Sequence, residues 1–516
     1  MEPKQSIPPI LRPELVVPVS LGAIASKFNL DVHTAHETMT VTGISMNTGD
    51  LRAGDLFVAM PGIKTHGANF VDRALELGAV AIVTDTTGRN LIGDTELPVI
   101  VLEEPRKHLG ELAAFVYGNT PGNVPTLFAT TGTNGKTSTT YLLDAILRQI
   151  GRTTGLTSTA ERHIAGDVIV SRLTTPESTE MQALIARMRE RGVTDIAIEV
   201  SAQALTQLRV DGLHFDVAGF TNLSHDHFDD YGGFEPYLKA KAELFANNRS
   251  KQAVVCLDTE YGKRIVEQSE VPVTTISSRR EIEADWKVEV LEELPGITKF
   301  SLSNSAGDSL VSAIPIIGSH MAANAGLAIV MAITAGHSFE DIKNAIRGGI
   351  KAYLPGRTEL VSPTGAPSVY VDFGHSPDAF LNTLAAVRKV TTGKVLMLFG
   401  ADGDRDPSKR EDMAKVAAAG CDILVITDHH PRFENPASIR KTLFEAAKAL
   451  RPDLEILEVS PPEAAIRAAV RLVEPGDSIL WAGPGHQDYR DIEGVRTPYS
   501  ARAEARAALS ELGYQC

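Results

Sequence analysis

Lys136 and Thr137 close the run T-G-T-N-G-K-T over residues 131–137, and a lysine followed by a hydroxyl residue is what a phosphate-cradling loop needs at its end. Gly132 and Gly135 permit the tight backbone path, with Thr133 and Asn134 between them. Lys136 offers a point charge to β- and γ-phosphates, Thr137 a hydroxyl to Mg2+, and Ser138 extends the polar first turn. The usual pattern carries another glycine five residues before Gly135; here that position is Thr130. The flanks nevertheless fit: an apolar, strand-like T-L-F-A-T-T leads in, and T-S-T-T-Y-L-L-D-A-I-L follows with helical spacing. The loop should therefore open a helix whose N-terminal amides face an anion. ATP with Mg2+ is the cofactor pair this predicts.

Other residues capable of chemistry cluster after similar runs. D-I-A-I-E ends on Glu199 and leads into S-A-Q-A-L, and V-A-G-F-T-N-L leads into S-H-D-H-F-D-D. Further on, S-V-Y-V-D-F precedes G-H-S-P-D, V-L-M-L-F-G precedes A-D-G-D-R-D, D-I-L-V-I-T-D precedes H-H-P-R-F-E, and S-I-L-W-A-G precedes P-G-H-Q. Such short β-rich runs alternating with helical patterns predict α/β domains with parallel or mixed sheets. Ligands gather at the carboxyl ends of strands in such sheets, so these loops should form two facing rims with the active site between domains. Pro/Gly-bearing breaks at Y-G-N-T-P-G-N-V-P and A-Y-L-P-G-R divide the 516 residues into 1–122, 123–354 and 355–516. The fold class expected is thus three α/β domains, the central one P-loop ATPase-like and the last Rossmann-like.

Bulk properties narrow the partners. A net charge of −15 argues against binding nucleic acid through a basic surface. Three widely spaced cysteines suit a reducing compartment and supply no disulfide framework. Neither a signal peptide nor a membrane span is evident in the apolar patterning. A cytoplasmic monomer acting on small molecules, with neither nucleic-acid nor membrane partners, is expected.

The loop T-G-T-N-G-K-T resembles the ATP loop of the Mur ligase family, whose members dispense with the first glycine. T-N-L-S-H-D-H-F-D-D-Y-G-G-F-E-P-Y-L-K-A-K is similar to the family stretch in which a histidine and, fourteen residues on, a lysine serve a second metal; here these are His227 and Lys241. The resemblance implies that Lys241 is carbamylated to N6-carboxylysine, that Glu199 meets magnesium beside Thr137, and that Arg357 in L-P-G-R-T-E clamps phosphate between domains. It also implies that Asn324 contacts adenine, though Met321 replaces a further asparagine common in the family. Asp372 would hold the ribose, with His375 and Asp378 near the nucleotide. The implied reaction is amide formation through an acyl phosphate made from ATP.

The first 120 residues most resemble the family member that attaches a third residue, a diamino acid, to the D-Glu of UDP-N-acetylmuramoyl-L-alanyl-D-glutamate, in peptidoglycan precursor synthesis. Thr174, Thr175, Ser201 and Arg209 match positions that hold the muramoyl peptide, and Asn47, Thr48 and Gly49 stand where a uridine-contacting D-S-R is usual. Arg405 matches the residue gripping the α-carboxylate of the incoming amino acid. Members taking meso-diaminopimelate carry D-N-P-R and G-x-G-H-E; this chain has Asp428, His429, His430 and Arg432 in D-H-H-P-R, and Gly483 to Gln487 in G-P-G-H-Q. The neutral Gln487 and the histidine at 430 favour L-lysine or a shorter homologue, with Asp428 or Glu434 as counter-charge to its distal amine. Two alternatives are a folylpolyglutamate-synthase-like ligase, which lacks such an N-terminal domain, and a DHH-type phosphoesterase, suggested only by D-H-H at 428–430.

Overall fold

The computed structural model describes residues 10–515 apart from 63 and 227. Among these residues the strands build three main sheets. The first is parallel and four-stranded, within residues 43–101. The second has eleven strands; its parallel centre runs through Thr154–Thr157, Asp195–Glu199, Thr126–Thr131, Phe215–Phe220 and Ser250–Cys256, with antiparallel hairpins at both ends. The third has six strands, parallel except for the short edge strand Glu359–Leu360. The expected three-domain α/β fold is therefore what the chain adopts.

The strand Thr126–Thr131 lies at the centre of the large sheet and is buried on both faces, which its apolar and hydroxyl-bearing sequence allows. Thr130 is still in register there, opposite Glu199 on one side and Gly219 on the other. A position in extended strand has no need of glycine, so the missing first glycine of the loop costs nothing. Gly132 and Gly135 do carry positive φ, 149° and 85°. A Cβ at Gly132 would fall 1.9 Å from Thr221 Oγ1, and one at Gly135 would fall 2.7 Å from Asn324 Oδ1. The helix Lys136–Gln149 begins directly after Gly135.

The joints between domains differ in kind. The helix Pro105–Val116 starts with proline in its first turn, where the missing N–H is no loss. It packs Leu109, Leu112 and Ala113 with Ala183 and Ala186 of the central helix Ser178–Glu190 in one apolar cluster. Gly110 lies so close that a Cβ would stand 1.9 Å from the Asp211 carbonyl oxygen. The central and C-terminal domains meet chiefly through polar loop residues described below, with Ile317 of the central domain joining Phe380, Leu384 and Ala386 in the third domain's apolar cluster.

Candidate active site

The phosphate loop is held by the segment that follows the strand Phe215–Phe220. Thr133 N–H donates to the Asn222 carbonyl at 2.9 Å, Asn134 N–H to Asn222 Oδ1 at 3.0 Å, and the Thr221 hydroxyl to the Asn134 carbonyl at 2.6 Å. Ser224 accepts from Asn134 Nδ2 at 3.1 Å. Thr221, Asn222 and Ser224 escaped the reading of the sequence; their place after a central strand was the available signal.

Thr137, Glu199 and Arg357 come together as expected. The Thr137 hydroxyl donates to Glu199 Oε2 at 3.0 Å and receives Arg357 Nη2 at 3.0 Å. Glu199 is 1% exposed and is fixed further by the amide and hydroxyl of Thr159, at 2.8 and 3.0 Å. The Arg357 guanidinium lies 4.5 Å from the centre of the Phe373 ring, which orients its plane. Carboxylate and hydroxyl oxygens beside a phosphate loop are the hard donors that suit Mg2+.

Two lysines converge on one oxygen. Lys136 Nζ donates to the Gly132 carbonyl at 3.1 Å and to that of Thr133 at 2.9 Å; Lys241 Nζ donates to the same Gly132 carbonyl at 2.7 Å. Lys241 is only 1% exposed, with its amine 4.2 Å from the centre of the Tyr237 ring. Burial drives its pKa well below the ordinary lysine value, and the neighbouring Lys136 charge adds to this. Lys136 is lowered as well, by desolvation, against the pull of Glu199 and Asp226. The second expected metal residue, His227, lies outside the described residues.

From the third domain, Asp378 Oδ2 accepts a hydrogen bond from Asn134 Nδ2 at 3.0 Å, so the loop itself bridges the domains. Lys409 Nζ reaches Asp226 Oδ1 at 3.0 Å, and His375 Nε2 lies 3.9 Å from Asp226 Oδ2. Asp372 accepts backbone N–H groups from Thr358 at 2.8 Å and Gly374 at 2.6 Å. Asn324 is buried against Gly135, beside Met321. Ser138 is buried in the first helical turn.

On the opposite side, Asn47 shapes its own turn by accepting the Gly49 N–H at 2.9 Å, with Thr48 at its apex. Asp50 next to it pairs with Arg172 of the central domain at 2.9 Å, a link the sequence did not disclose. Thr174 contacts Thr159 at 3.0 Å, and Thr175 donates to the Glu199 carbonyl at 2.8 Å while accepting the Ser201 N–H at 3.1 Å. Arg209 pairs with Glu177 at 2.9 Å. These residues form one wall running from the first domain to Glu199.

The C-terminal loops gather Asp402, His429, His430, Arg432 and Gln487. His430 Nδ1 accepts the Asp491 N–H at 2.9 Å, so Nε2 carries the proton and donates to Gln487 Oε1 at 2.8 Å. His429 packs beside it, and desolvation pushes its pKa down to about 3. Gly483 donates its N–H to the Asp372 carbonyl at 2.9 Å, tying this cluster to the nucleotide side. Arg405 stands exposed on the 400–406 loop without a polar partner among the described residues.

One expectation needs correcting here. Asp428 is not available to an incoming amine: it is bonded to Arg440 and accepts the Ser460 hydroxyl at 2.6 Å. Glu434 is likewise taken, by Arg410 at 2.8 and 2.9 Å and the Asp404 N–H at 2.6 Å. Both partners are arginines on flanking helices, Arg410 before the loop and Arg440 after it, at spacings that carry no local signal.

Comparison with known proteins agrees with this arrangement. Residues 40–117, 130–332 and 356–485 match, in turn, the Mur ligase family catalytic domain, the Mur ligase middle domain, and the Mur ligase glutamate ligase domain. A UDP-N-acetylmuramyl-tripeptide synthetase of Leifsonia xyli subsp. xyli is 51% identical over 98% of this chain and 99% of its own. A UDP-N-acetylmuramoyl-L-alanyl-D-glutamate--2,6-diaminopimelate ligase of Streptomyces avermitilis is 41% identical over 97% of this chain and 98% of its own. Among solved structures, the MurF ligase of Thermotoga maritima in complex with ADP superposes with a TM-score of 0.65 at 19% identity, over 91% of this chain and 97% of that one. Among the described residues no helix is long and apolar enough to cross a membrane.

Proposed function

The chain belongs to the Mur ligase family of ATP-dependent ligases, and we propose that it joins a diamino acid to the D-Glu carboxylate of UDP-N-acetylmuramoyl-L-alanyl-D-glutamate. The observation that carries this is the meeting of Lys136, Thr137, Glu199 and Arg357 at a joint bridged by Asn134 and Asp378. The dipeptide carboxylate attacks the γ-phosphorus, the bond to the β-bridging oxygen breaks, and ADP leaves. The amine then attacks the acyl-phosphate carbonyl, inorganic phosphate departs, and the ammonium-derived proton is released. Lys136 and Arg357 face the charge that spreads over the transferring phosphoryl group.

Mg2+, when bound, neutralises phosphate charge, and Thr137, Glu199, His227 and Lys241 are the residues proposed to hold it. The Gly132 carbonyl shared by two amines supports carbamylation of Lys241. Burial favours its neutral form, the form that adds to carbon dioxide, and the carbamate places an anion opposite the Lys136 charge. Asn324, Asp372 and His375 are assigned to the nucleoside, and the 47–49 turn with Thr174, Thr175, Ser201 and Arg209 to the UDP-muramoyl dipeptide. The amino acid is proposed to be L-lysine or a shorter diamino homologue, gripped at its α-carboxylate by Arg405. Support comes from Gln487, which carries no charge, and from His430, whose pKa burial holds below the ordinary histidine value.

The test is to incubate the protein with ATP, Mg2+ and UDP-MurNAc-L-Ala-D-Glu, offer a panel of amino acids, and weigh the products. A tripeptide formed with stoichiometric ADP is expected; ADP release without any new amide would overturn the assignment.

A further inference from the structure

With Asp428 and Glu434 bound elsewhere, the pocket beside His430 should lack an acid, yet it holds two. Asp402, on the loop after the strand Val395–Phe399, places Oδ1 3.6 Å from His429 Nδ1 and Oδ2 3.7 Å from Arg432 Nη2. Asp491, on the hairpin packed across it, places Oδ2 3.9 Å from Arg432 Nε. Arg432 meanwhile donates from Nη1 to the Gly403 carbonyl at 2.9 Å. One guanidinium therefore faces two carboxylates. Oδ1 of Asp402 and Oδ1 of Asp491 are both buried and make no hydrogen bond among the described residues. Buried carboxylate oxygens call for a donor.

We infer that Asp402, seconded by Asp491, is the specificity-determining residue that binds the distal ammonium of the incoming diamino acid and repels a substrate with a distal carboxylate. An ammonium brings three N–H donors and one positive charge, which answers both orphaned oxygens and the excess negative charge. A second carboxylate entering the same space would meet two like charges with Arg432 already engaged. A metal ion is the competing occupant, since Asp402, His429 and His430 lie close enough to share one. His430, however, has spent both ring nitrogens, one accepting from Asp491 and one donating to Gln487, so it has no lone pair to give.

The inference rests on the proposed ligase reading, and the experiment separates the two. Steady-state kinetics of the full-length protein with L-lysine, L-ornithine, L-norleucine and meso-diaminopimelate would be compared between wild type, Asp402→Asn and Asp491→Asn, with thermal melting as the check on folding. Asp402→Asn removes charge at constant shape, so kcat/KM for the diamino acids should fall at least about tenfold, chiefly through KM, as when one partner of a charge pair is lost. Norleucine, which has no distal ammonium, should be unaffected, and meso-diaminopimelate should improve. An unchanged ratio of lysine to norleucine in both variants overturns the inference while leaving the ligase intact. So does a stoichiometric Zn2+ site that Asp402→Asn abolishes without altering selectivity. Wild type that makes no tripeptide from any amino acid is a failure of the ligase reading instead.

Discussion

The phosphate loop and the amino-acid pocket are built from similar materials and differ in how they are fixed. Around Gly132–Thr137 the main chain itself is the thing gripped: strand register sets Thr130 and Glu199, positive φ sets the glycines, and the 221–224 segment holds the loop's own N–H and carbonyl groups at 2.6–3.0 Å. Around Arg432 the charged groups meet side chain to side chain, and at the longer distances of 3.6–3.9 Å. A site whose chemistry is common to all its substrates can be set into the main chain. One that must discriminate among substrates is left to side chains, each alterable without disturbing a sheet.

The sharpest way to break that contrast is Lys136→Ala. Removing the charge from a loop shaped by glycines should lower turnover by about a thousandfold or more, with little change in melting temperature. A large loss of stability would show that the lysine holds the loop as well as the phosphate. Lys241→Ala should follow, with turnover reduced about a hundredfold and partly restored by a short carboxylic acid added to the buffer, which can occupy the place of a carbamate. Absence of rescue at any concentration would leave Lys241 as packing for Tyr237.

Arg405→Ala tests the other region. Loss of the α-carboxylate partner should raise KM for every amino acid by about tenfold to a hundredfold, whereas Arg432→Ala should change lysine turnover only about fewfold. Equal effects would merge two roles kept separate here. A control lies farther along the helix that the phosphate loop opens, where His163 packs edge-on against Tyr141 and sits between Asp144 and Glu161 at 3.2 and 3.3 Å. Desolvation opposes its charge, but the two carboxylates prevail and raise its pKa to about 9. A raised pKa means stability that is complete below pH 6.5 and lost as pH climbs through about 9. The melting midpoint should therefore fall by about 2–4 °C across that window, and His163→Gln should remove the slope.

Much of the first region was legible in the sequence because its signals are local. Gly132, Lys136 and Thr137 lie within one turn, and Glu199 ends an apolar run that can only be a buried strand. Reading the second region required knowing which arginine meets which acid. Asp428 reads as a free counter-charge because nothing local points to Arg440 on the next helix, and Asp402 stands in a polar loop that gives no sign of Asp491, almost ninety residues later, beside the same guanidinium. The clamp at Asn222 and Ser224 was missed because asparagine and serine after a strand are ordinary in any turn. The orphaned oxygens have no trace in the sequence at all.

The unequal joints between domains bear on the catalytic cycle. Separating the first domain from the second would expose Leu109, Leu112 and their partners to water, at roughly 25 cal/mol for each Å2 of apolar surface. Separating the third uncovers the smaller apolar contact of Ile317 and otherwise breaks Asn134–Asp378, Lys409–Asp226 and Arg357–Thr137, polar contacts that water replaces at small net cost. The first two domains should thus travel as one block while the third swings. Egress of ADP and of the lengthened peptide would then be paced by rupture of a handful of polar bonds, and a slow, solvent-viscosity-dependent step would belong to that hinge rather than to bond making.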